Sequence, residues 1–234
     1  MHNPSAGPRA LARRPLVVEL VGAAGTGKTT ILRALGQRGD IVDGARAGRL
    51  QYLAFFAEIA LTLLPAYLLR YRHGRWFSWE ETRSMVYLKA WRQVVRRRSS
   101  QDGAVTILDH GPIFRLALLR GFGPEFAASQ VYARWWESAL AQWSGALDVV
   151  IWLDAPDAVL IERINARDRW HLVKDRPEPE ARAFLARYRA EYEEIIARLS
   201  AAGGTRVLRF DTAREPLDQI VSHVQAAFEL EQGQ

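Results

Sequence analysis

An eight-residue glycine-rich segment carries the clearest chemistry in this sequence. Residues 22–29 read Gly-Ala-Ala-Gly-Thr-Gly-Lys-Thr and match the pattern G-x-x-x-x-G-K-[ST] without a gap. Glycines let a backbone curl tightly and aim its N–H groups at phosphate oxygens, and a helix N-terminus adds partial positive charge. In such a loop the lysine reaches the β- and γ-phosphates, and the last hydroxyl ligates magnesium. The motif therefore predicts binding of ATP with Mg²⁺, with Thr29 as a metal ligand, by Gly22, Ala23, Ala24, Gly25, Thr26, Gly27, Lys28, Thr29 and Thr30.

Two absent motifs narrow the reaction. GTPases carry a guanine-specifying N-K-x-D, and that tetrapeptide does not occur in this sequence. Motor ATPases carry a glutamate after the aspartate of a hydrophobic strand, whereas here Asp109 is followed by His110. The absence of this hydrolytic glutamate favours phosphoryl transfer to an acceptor other than water.

Three arginines in the second half of the chain could stabilise the negative charge that develops during phosphoryl transfer. Arg163 and Arg167 lie four residues apart on a predicted helix, and Arg169 follows shortly after. Arginines on a closing segment can stabilise the equatorial oxygens of a transferring phosphoryl group. The alternative is a solvated arginine face that pairs with Glu162 and Asp168. In a chain with a phosphate loop we favour the first interpretation.

Short apolar runs that alternate with helical patterns must position these groups. Apolar runs of this kind, each followed by a helix, are typical of a parallel sheet covered on both sides. We therefore expect an α/β fold, namely a three-layer P-loop NTPase fold with a parallel sheet of about five strands and helices on both faces. The predicted strands cover residues 16–21, 40–43, 104–109, 149–154 and 206–210. The predicted helices cover residues 28–36, 50–69, 79–98, 124–143, 157–167, 179–199 and 216–230.

The carboxyl ends of parallel strands share one edge of the sheet, and ligands bind there. Gly22, Asp109 and Asp154 close the three strongest predicted strands and should gather at this edge. Asp43 joins them if the weaker strand at 40–43 forms.

Four segments together resemble the deoxynucleoside kinase and thymidylate kinase group of P-loop kinases. They are the phosphate loop, Leu-Asp-His-Gly at 108–111, the run from Trp152 to Arg169, and, more weakly, Phe-Asp-Thr at 210–212. The resemblance covers the sheet core from Leu16 to Phe228, but nothing specific in residues 50–98. It implies that the loop at Asp211 lies near the adenine of ATP.

The resemblance also implies that Asp109 lies beside magnesium or the acceptor. In that group an arginine usually follows directly and contacts acceptor phosphate, whereas this chain has His110. The departure argues against a thymidylate-type acceptor site, unless Arg115 substitutes. His110 could bind substrate or fill a turn.

The resemblance further implies that a carboxylate after the second strand takes the proton of the attacking hydroxyl, and Asp43 occupies about that place. Such a base helps an alcohol acceptor, because a phosphate acceptor is already ionised. Asp43 could equally be a turn residue before Gly44, and Arg46 and Arg49 could instead hold an acceptor phosphate.

The composition of the chain excludes some kinds of site and limits the kinds of partner. The chain has 234 residues, no cysteine and a formal net charge of +6, so disulfides and thiolate zinc sites are excluded. The positive charge suits a pocket for phosphates as well as a nucleic-acid partner, and we expect no specific nucleic acid.

We see no secretory signal and expect a cytoplasmic protein. The domain prediction is a disordered basic arm at 1–15 and one kinase domain at 16–234, with a helical acceptor-side insertion at about 50–100 and a lid at about 163–178.

The apolar stretch from Tyr52 to Leu69 approaches the length of a membrane span. Glu58 and Pro65 interrupt it, and both are costly in lipid. We therefore favour a core helix or a subunit interface over membrane contact, with a homodimer as the possible assembly.

The preferred function is an ATP-dependent kinase of a small hydroxyl acceptor, nucleoside-like or another alcohol, with Lys28, Asp43, Asp109, Arg163, Arg167 and Arg169 as catalytic residues. Alternative acceptors are a nucleoside monophosphate, an antibiotic, a glycan or a lipid-linked alcohol. An alternative of another class is a nucleotide-binding regulatory module without turnover.

Overall fold

A parallel sheet forms the centre of the computed structural model, which describes residues 14–36, 40–43, 48–98 and 103–233. The strand order is β2-β3-β1-β4-β5, and all neighbouring strands pair in parallel. The strands are β1 (Leu16–Val21), β2 (Asp40–Asp43), β3 (Val105–Asp109), β4 (Val149–Asp154) and β5 (Arg206–Asp211). Their carboxyl ends therefore share one edge, as predicted.

Helices connect the strands. They are α1 (Lys28–Leu35), α2 (Arg49–Arg70), α3 (Trp79–Arg98), α4 (Pro112–Gly121), α5 (Gln130–Ala141), α6 (Asp157–Asn165), α7 (Glu178–Gly203) and α8 (Leu217–Gln232), with a short 3₁₀ turn at Glu125–Ala128. Helices α2 and α3 lie between β2 and β3 in the chain. The segment between α6 and α7 contains turns, and it covers most of the predicted lid.

The central strand β1 shows why the molecule has three layers. All six of its residues are buried, and its side chains alternate between the two faces of the sheet. Val17 and Val21 belong to the core cluster that includes residues of α3, α4, α5 and α7. Val18 and Leu20 belong to the cluster that includes residues of α1 and α8. Helices cover both faces, which confirms the predicted fold class.

The region after β3 differs from its prediction. The sequence pattern predicted one helix over 124–143, but the structure has the 3₁₀ turn, a break at Ser129 and then α5. The Ser129 hydroxyl accepts a hydrogen bond from the amide of Tyr132 at 3.2 Å, so it caps the new helix. Helix α4 was not predicted. It begins at Pro112, a residue that suits a first helical turn because its missing N–H would lack an intrahelical partner anyway.

Helix α2 contradicts the expectation of a core helix. Of its 22 residues, only Ile59 and Leu63 are buried, and the helix packs on α3 and α5 with this face. By length and composition it is the one helix in the described chain that could cross a membrane, yet only 11% of its most apolar stretch is buried. Core packing therefore does not explain its apolar composition.

Candidate active site

The phosphate loop leads from β1 into α1 in the predicted setting. Gly27 has φ of +81°, a left-handed conformation that glycine adopts without strain, and α1 begins at Lys28. A Cβ on Gly22 would lie 2.5 Å from the carbonyl oxygen of Leu153, so the loop needs glycine there to pass beside β4. Inside the loop, the buried hydroxyl of Thr26 donates to the carbonyl of Ala23 at 2.9 Å. These contacts fix the shape of the loop.

Lys28 points into this loop. Its ammonium donates to the carbonyl oxygens of Gly22 at 2.6 Å and Ala23 at 3.0 Å. Burial lowers the pKa of Lys28 to about 8, and the nearby Asp109 carboxylate opposes that decrease. Among the described residues the ammonium donates hydrogen bonds only to these neutral carbonyls, so an incoming phosphate would be its stronger partner.

A cavity of about 990 Å³ opens in front of the loop. This volume lies at the upper end of the range for small-molecule sites. It is lined by residues of the loop, α3, α4, the segment around 163–172 and α7. Six of the residues predicted from the sequence meet at this one cavity: Lys28, Thr29, Asp109, Arg163, Arg167 and Arg169. Of the predicted nucleotide-binding loop, Gly22, Ala23, Ala24, Gly25, Gly27 and Thr30 also line it.

Asp109 ends β3 at the rim of the cavity. Its Oδ1 atom is buried and has no hydrogen-bond partner among the described residues, although Nδ1 of His110 lies 3.6 Å away. An orphaned carboxylate oxygen at the cavity that Thr29 also lines fits a magnesium ion, which usually takes one or two protein oxygens together with water and phosphate oxygens. The described residues contain no cluster of three or more acidic or histidine ligands, and a site of this type requires none.

The turn after Asp109 depends on a residue that sequence reasoning missed. Glu19 on β1 is fully buried, and its carboxylate accepts hydrogen bonds from the amides of Ile113 at 2.9 Å and Phe114 at 3.1 Å. It thereby caps the N-terminus of α4 from another strand. Burial raises the pKa of Glu19 to about 8, against the lowering effect of these two amides. The available signal was a single acid in an otherwise apolar strand.

His110 occupies this turn in a left-handed conformation with φ of +51°. It also lines the cavity, and its ring lies edge-on to Phe114 with centroids 4.6 Å apart. Both roles considered for it from the sequence, turn residue and pocket residue, are therefore compatible with its position.

Arg163 connects two loops around the cavity. Its guanidinium donates to the Gly25 carbonyl at 3.2 Å and to the side-chain and backbone oxygens of Thr212, both at 3.0 Å. The phosphate loop and the β5–α8 loop are thus tied together. Arg167 and Arg169 line the cavity beyond it, and Lys174 donates to the Arg167 carbonyl. The arginines come from the predicted lid segment.

The far side of the cavity is aromatic and basic. Phe114 and Tyr188 have nearly parallel rings with centroids 6.2 Å apart. The Arg115 guanidinium lies 4.6 Å from the ring centre of Tyr87 and donates to the Ser84 hydroxyl at 3.0 Å. Burial lowers the pKa of Arg115 to about 10, and its Nε has no hydrogen-bond partner in the described chain. This side offers flat apolar surfaces together with an incompletely satisfied cation.

The aromatic residues between 76 and 91 divide between the core and the cavity. Phe77 and Trp91 are buried in the core, whereas Tyr87 lines the cavity. Trp79 is largely exposed.

Comparisons with known proteins support the fold. Family models gave no match, and neither did curated proteins. Among solved structures, the YorR protein of Bacillus subtilis, in complex with phosphorylated GDP, aligns over 93% of this chain and 98% of its own, at 15% identity and a TM-score of 0.53. The deoxyadenosine kinase of M. mycoides with bound dATP aligns over 92% of this chain and its entire length, at 14% identity and the same score. The same kinase with dCMP and dCDP aligns equally well at 13% identity.

The chain has a deoxynucleoside kinase-like P-loop fold. The resemblance that the sequence motifs suggested is therefore confirmed for the fold. Since the alignments cover nearly the whole chain, the fold includes residues 50–98, for which the sequence offered no specific match.

For three predicted residues the described part of the structure gives no side-chain contact with the cavity. Arg46 lies outside the described residues. The backbone of Asp43 pairs in register with Asp109 at the ligand edge of the sheet, but the structure does not describe its side chain. The Asp211 carboxylate accepts from the Ala213 amide at 2.9 Å within its own loop, and Arg163 joins that loop to the phosphate loop through Thr212. The roles of Asp43 and Asp211 stay predictions.

Proposed function

We propose that this chain is an ATP-dependent small-molecule kinase that transfers the γ-phosphoryl group to a hydroxyl acceptor. One observation carries the proposal. A single cavity is lined on one side by the phosphate loop with Lys28, and on the other by aromatic and polar side chains of α3, α4 and α7. Such a cavity can hold a nucleotide and an acceptor in line.

The donor side would hold the triphosphate. The loop amides and the Lys28 ammonium would bind the β- and γ-phosphates, and Arg167 and Arg169 would meet the charge that develops on the transferring group. Thr29 and Asp109 would hold magnesium, which neutralises phosphate charge when it is bound. All these residues line the cavity.

On the acceptor side, a hydroxyl oxygen would form a bond to the γ-phosphorus while the bond to the bridging oxygen of ADP breaks. The hydroxyl proton needs a carboxylate to accept it. We assign this role to Asp43, because its backbone lies beside Asp109 at the ligand edge of the sheet. Phe114 and Tyr188 would hold the flat or apolar part of the acceptor.

A phosphate-bearing acceptor, such as a nucleoside monophosphate, is the second candidate. It is favoured by Arg115, which lines the acceptor side and whose Nε has no hydrogen-bond partner among the residues that the structure describes. Arg83 lies beside it over the same Tyr87 ring. Two guanidinium groups at one end of a pocket are suited to an anionic substituent.

The solved structures with this fold agree in the kind of ligand. YorR holds a phosphorylated guanine nucleotide, and the M. mycoides enzyme is a deoxyadenosine kinase that binds dATP. These ligands support a nucleoside triphosphate as donor. We place the reaction in the cytoplasm, where ATP is available.

Transfer of label from γ-labelled ATP to a panel of acceptors tests the function. The panel comprises nucleosides, nucleoside monophosphates, aminoglycosides, sugars and polyprenols. We expect one class to be labelled, and Lys28→Ala to abolish labelling with the fold intact. Arg33→Gln on α1, outside the cavity, is the matched control for loss of a cation. If no acceptor is labelled above background hydrolysis while ATP is retained in equilibrium dialysis, the chain is a nucleotide-binding regulatory module instead.

A further inference from the structure

The outward face of α2 presents a continuous apolar strip. Seven residues form this strip, and all are exposed: Leu50, Leu53, Ala54, Ala57, Leu61, Leu64 and Leu68. They recur at spacings of mostly three or four, so they share one side of the helix, opposite the buried Ile59 and Leu63. The helix has 22 residues, so the strip extends for roughly 30 Å. No polar side chain interrupts it.

An exposed apolar strip of this kind is normally covered by protein or by lipid. A helix that is apolar all round is normally buried in a core or in contact with lipid. Among the described residues, α3 and α5 cover only one side of α2. Leu50 and Leu61 are 84% and 79% exposed, which is far more than packing against the domain would leave. Contiguous exposed apolar surface of this size marks an interaction site.

Two polar residues of α2 beside the strip, Glu58 and Thr62, have partners within the protein. Glu58, the only acidic residue of the helix, forms an ion pair with Lys89 of α3. The hydroxyl of Thr62 donates to the Glu58 carbonyl at 2.8 Å. Both residues line the groove toward α5. Neither therefore opposes burial of the strip in an apolar phase.

The ends of α2 are basic and aromatic. Arg49 begins the helix, Arg70 ends it, and Arg72 follows in the next turn. At the N-terminal end, the exposed Trp79 lies beside Tyr52 with ring centroids 5.8 Å apart. Arginines and tryptophans at the ends of an apolar helix are typical of the lipid headgroup region, where the arginines meet phosphates.

A second copy of the chain would cover the apolar strip but would leave the positive charge at the two ends of α2 without a counter-charge. An anionic surface covers the strip and also neutralises that charge.

We propose that α2 docks this protein on the surface of an anionic lipid bilayer, with the strip at the boundary between headgroups and acyl chains. The contact is one-sided, because the opposite face of α2 carries Ile59 and Leu63 into the domain. This is the geometry of an interfacial helix rather than of a spanning one. The bilayer would cover the leucines, and Arg49, Arg70 and Arg72 would contact lipid phosphates.

Vesicle flotation of the full chain tests the proposal. One set of vesicles mixes phosphatidylcholine with phosphatidylglycerol, and the other contains phosphatidylcholine alone. The double variant Leu61→Gln with Leu64→Gln removes apolar contact, and Arg70→Gln with Arg72→Gln removes charge. Matched controls are Leu217→Gln with Leu230→Gln, exposed leucines on α8, and Arg33→Gln on α1. Thermal unfolding verifies that every variant is folded.

We expect the wild type to float with the anionic vesicles and the leucine variant to partition at least about ten-fold less. The arginine variant should lose most of its preference for anionic vesicles, and both controls should behave as wild type. The proposal is overturned if the wild type stays unbound, if it floats equally with both vesicle types, or if the leucine variant floats normally. It is also overturned if sedimentation shows a dimer that the leucine substitutions dissociate, because a second copy then covers the strip.

Discussion

The Glu19 carboxylate lies against Gly111 so closely that a Cβ on residue 111 would fall 2.5 Å from its Cδ. Strand β1 and the turn after β3 are therefore fitted to each other through one acid and one glycine. Because the same carboxylate accepts the amides of Ile113 and Phe114, it fixes both the turn and the start of α4. The pocket residues Asp109 and His110 lie on the strand side of that turn.

Substitution of Gly111 should show how tight this relationship is. We expect Gly111→Ala to lower the free energy of unfolding by about 1–3 kcal/mol, because the new methyl group must displace a buried carboxylate. Gly48→Ala is the matched control, since Gly48 has an ordinary φ of −60° and a Cβ added there would meet no atom within 4 Å. Because Gly48 is the N-cap of α2, where alanine is less favourable than glycine, this variant should lose less than about 1 kcal/mol. Urea unfolding of both variants measures the difference, and equal effects would contradict the close fit.

Glu19 should also make stability depend on pH. Its pKa is about 8 in the folded chain against 4.5 for an ordinary glutamate, so between these values the folded state binds the proton more strongly. The free energy of unfolding should therefore fall as pH rises through this window, by up to roughly 1.4 kcal/mol per pH unit, and level off above it.

Glu19→Gln isolates this effect, because glutamine mimics the protonated carboxyl and does not titrate. Urea unfolding across the window should show the wild type losing stability relative to the variant, while other titrating groups cancel in the difference. A difference that is constant with pH would rule out the raised pKa.

The residues that sequence alone could identify are those whose signal is local. The phosphate loop is one contiguous motif, and β1, β3 and β4 are unbroken apolar runs, so their positions were predictable. Glu19 was missed because its partners lie more than ninety residues away along the chain, in a helix whose own start was not predicted. An isolated acid in a strand does not reveal which amides it will accept.

For helix α2 the local sequence signal was strong, but the prediction of a core helix was wrong. Its composition predicted burial, but burial depends on which elements are available to cover it, and α3 and α5 cover only one side. The role of Arg163 at the transferring group stays a prediction from its spacing, and its contacts with Gly25 and Thr212 could be found only in three dimensions.

Nucleotide affinity should depend on the protonation of Lys28. Burial lowers its pKa to about 8, and the triphosphate binds the ammonium form. Above that pH, binding must take up a proton, so the Kd for Mg–ATP should rise by up to about ten-fold per pH unit. Equilibrium dialysis with a non-hydrolysable ATP analogue measures this dependence.

Lys28→Arg is the control for that dependence. A guanidinium stays charged across the range, so the variant should bind more weakly but with an affinity that is flat above pH 8. If the wild type were equally flat, the ammonium would not be losing its proton in the free protein.

Variants of Arg163 and its neighbours should distinguish residues that position the nucleotide from residues that act on the transferring group. Its guanidinium joins the phosphate loop to Thr212, so Arg163→Ala should loosen the nucleotide site and raise the KM for ATP. Thr212→Val removes only the hydroxyl acceptor and keeps the backbone one, and it should raise the same KM by about three- to ten-fold with kcat nearly unchanged. Arg167→Ala should instead lower kcat, by about a hundred-fold, if Arg167 meets the transferring group.

Steady-state kinetics with ATP varied at saturating acceptor distinguish these effects. A change confined to the KM means that an interaction present equally in the ground state and the transition state is lost. A change in kcat means that a contact made only in the transition state is lost. Arg163→Ala with an unchanged KM and a hundred-fold lower kcat would show that this guanidinium leaves Thr212 during turnover and acts on the phosphoryl group. In that case Thr212→Val should have little effect, since the contact it weakens would already be broken at the reacting stage. The paired variants therefore decide whether the contact seen between Arg163 and Thr212 persists through the reaction.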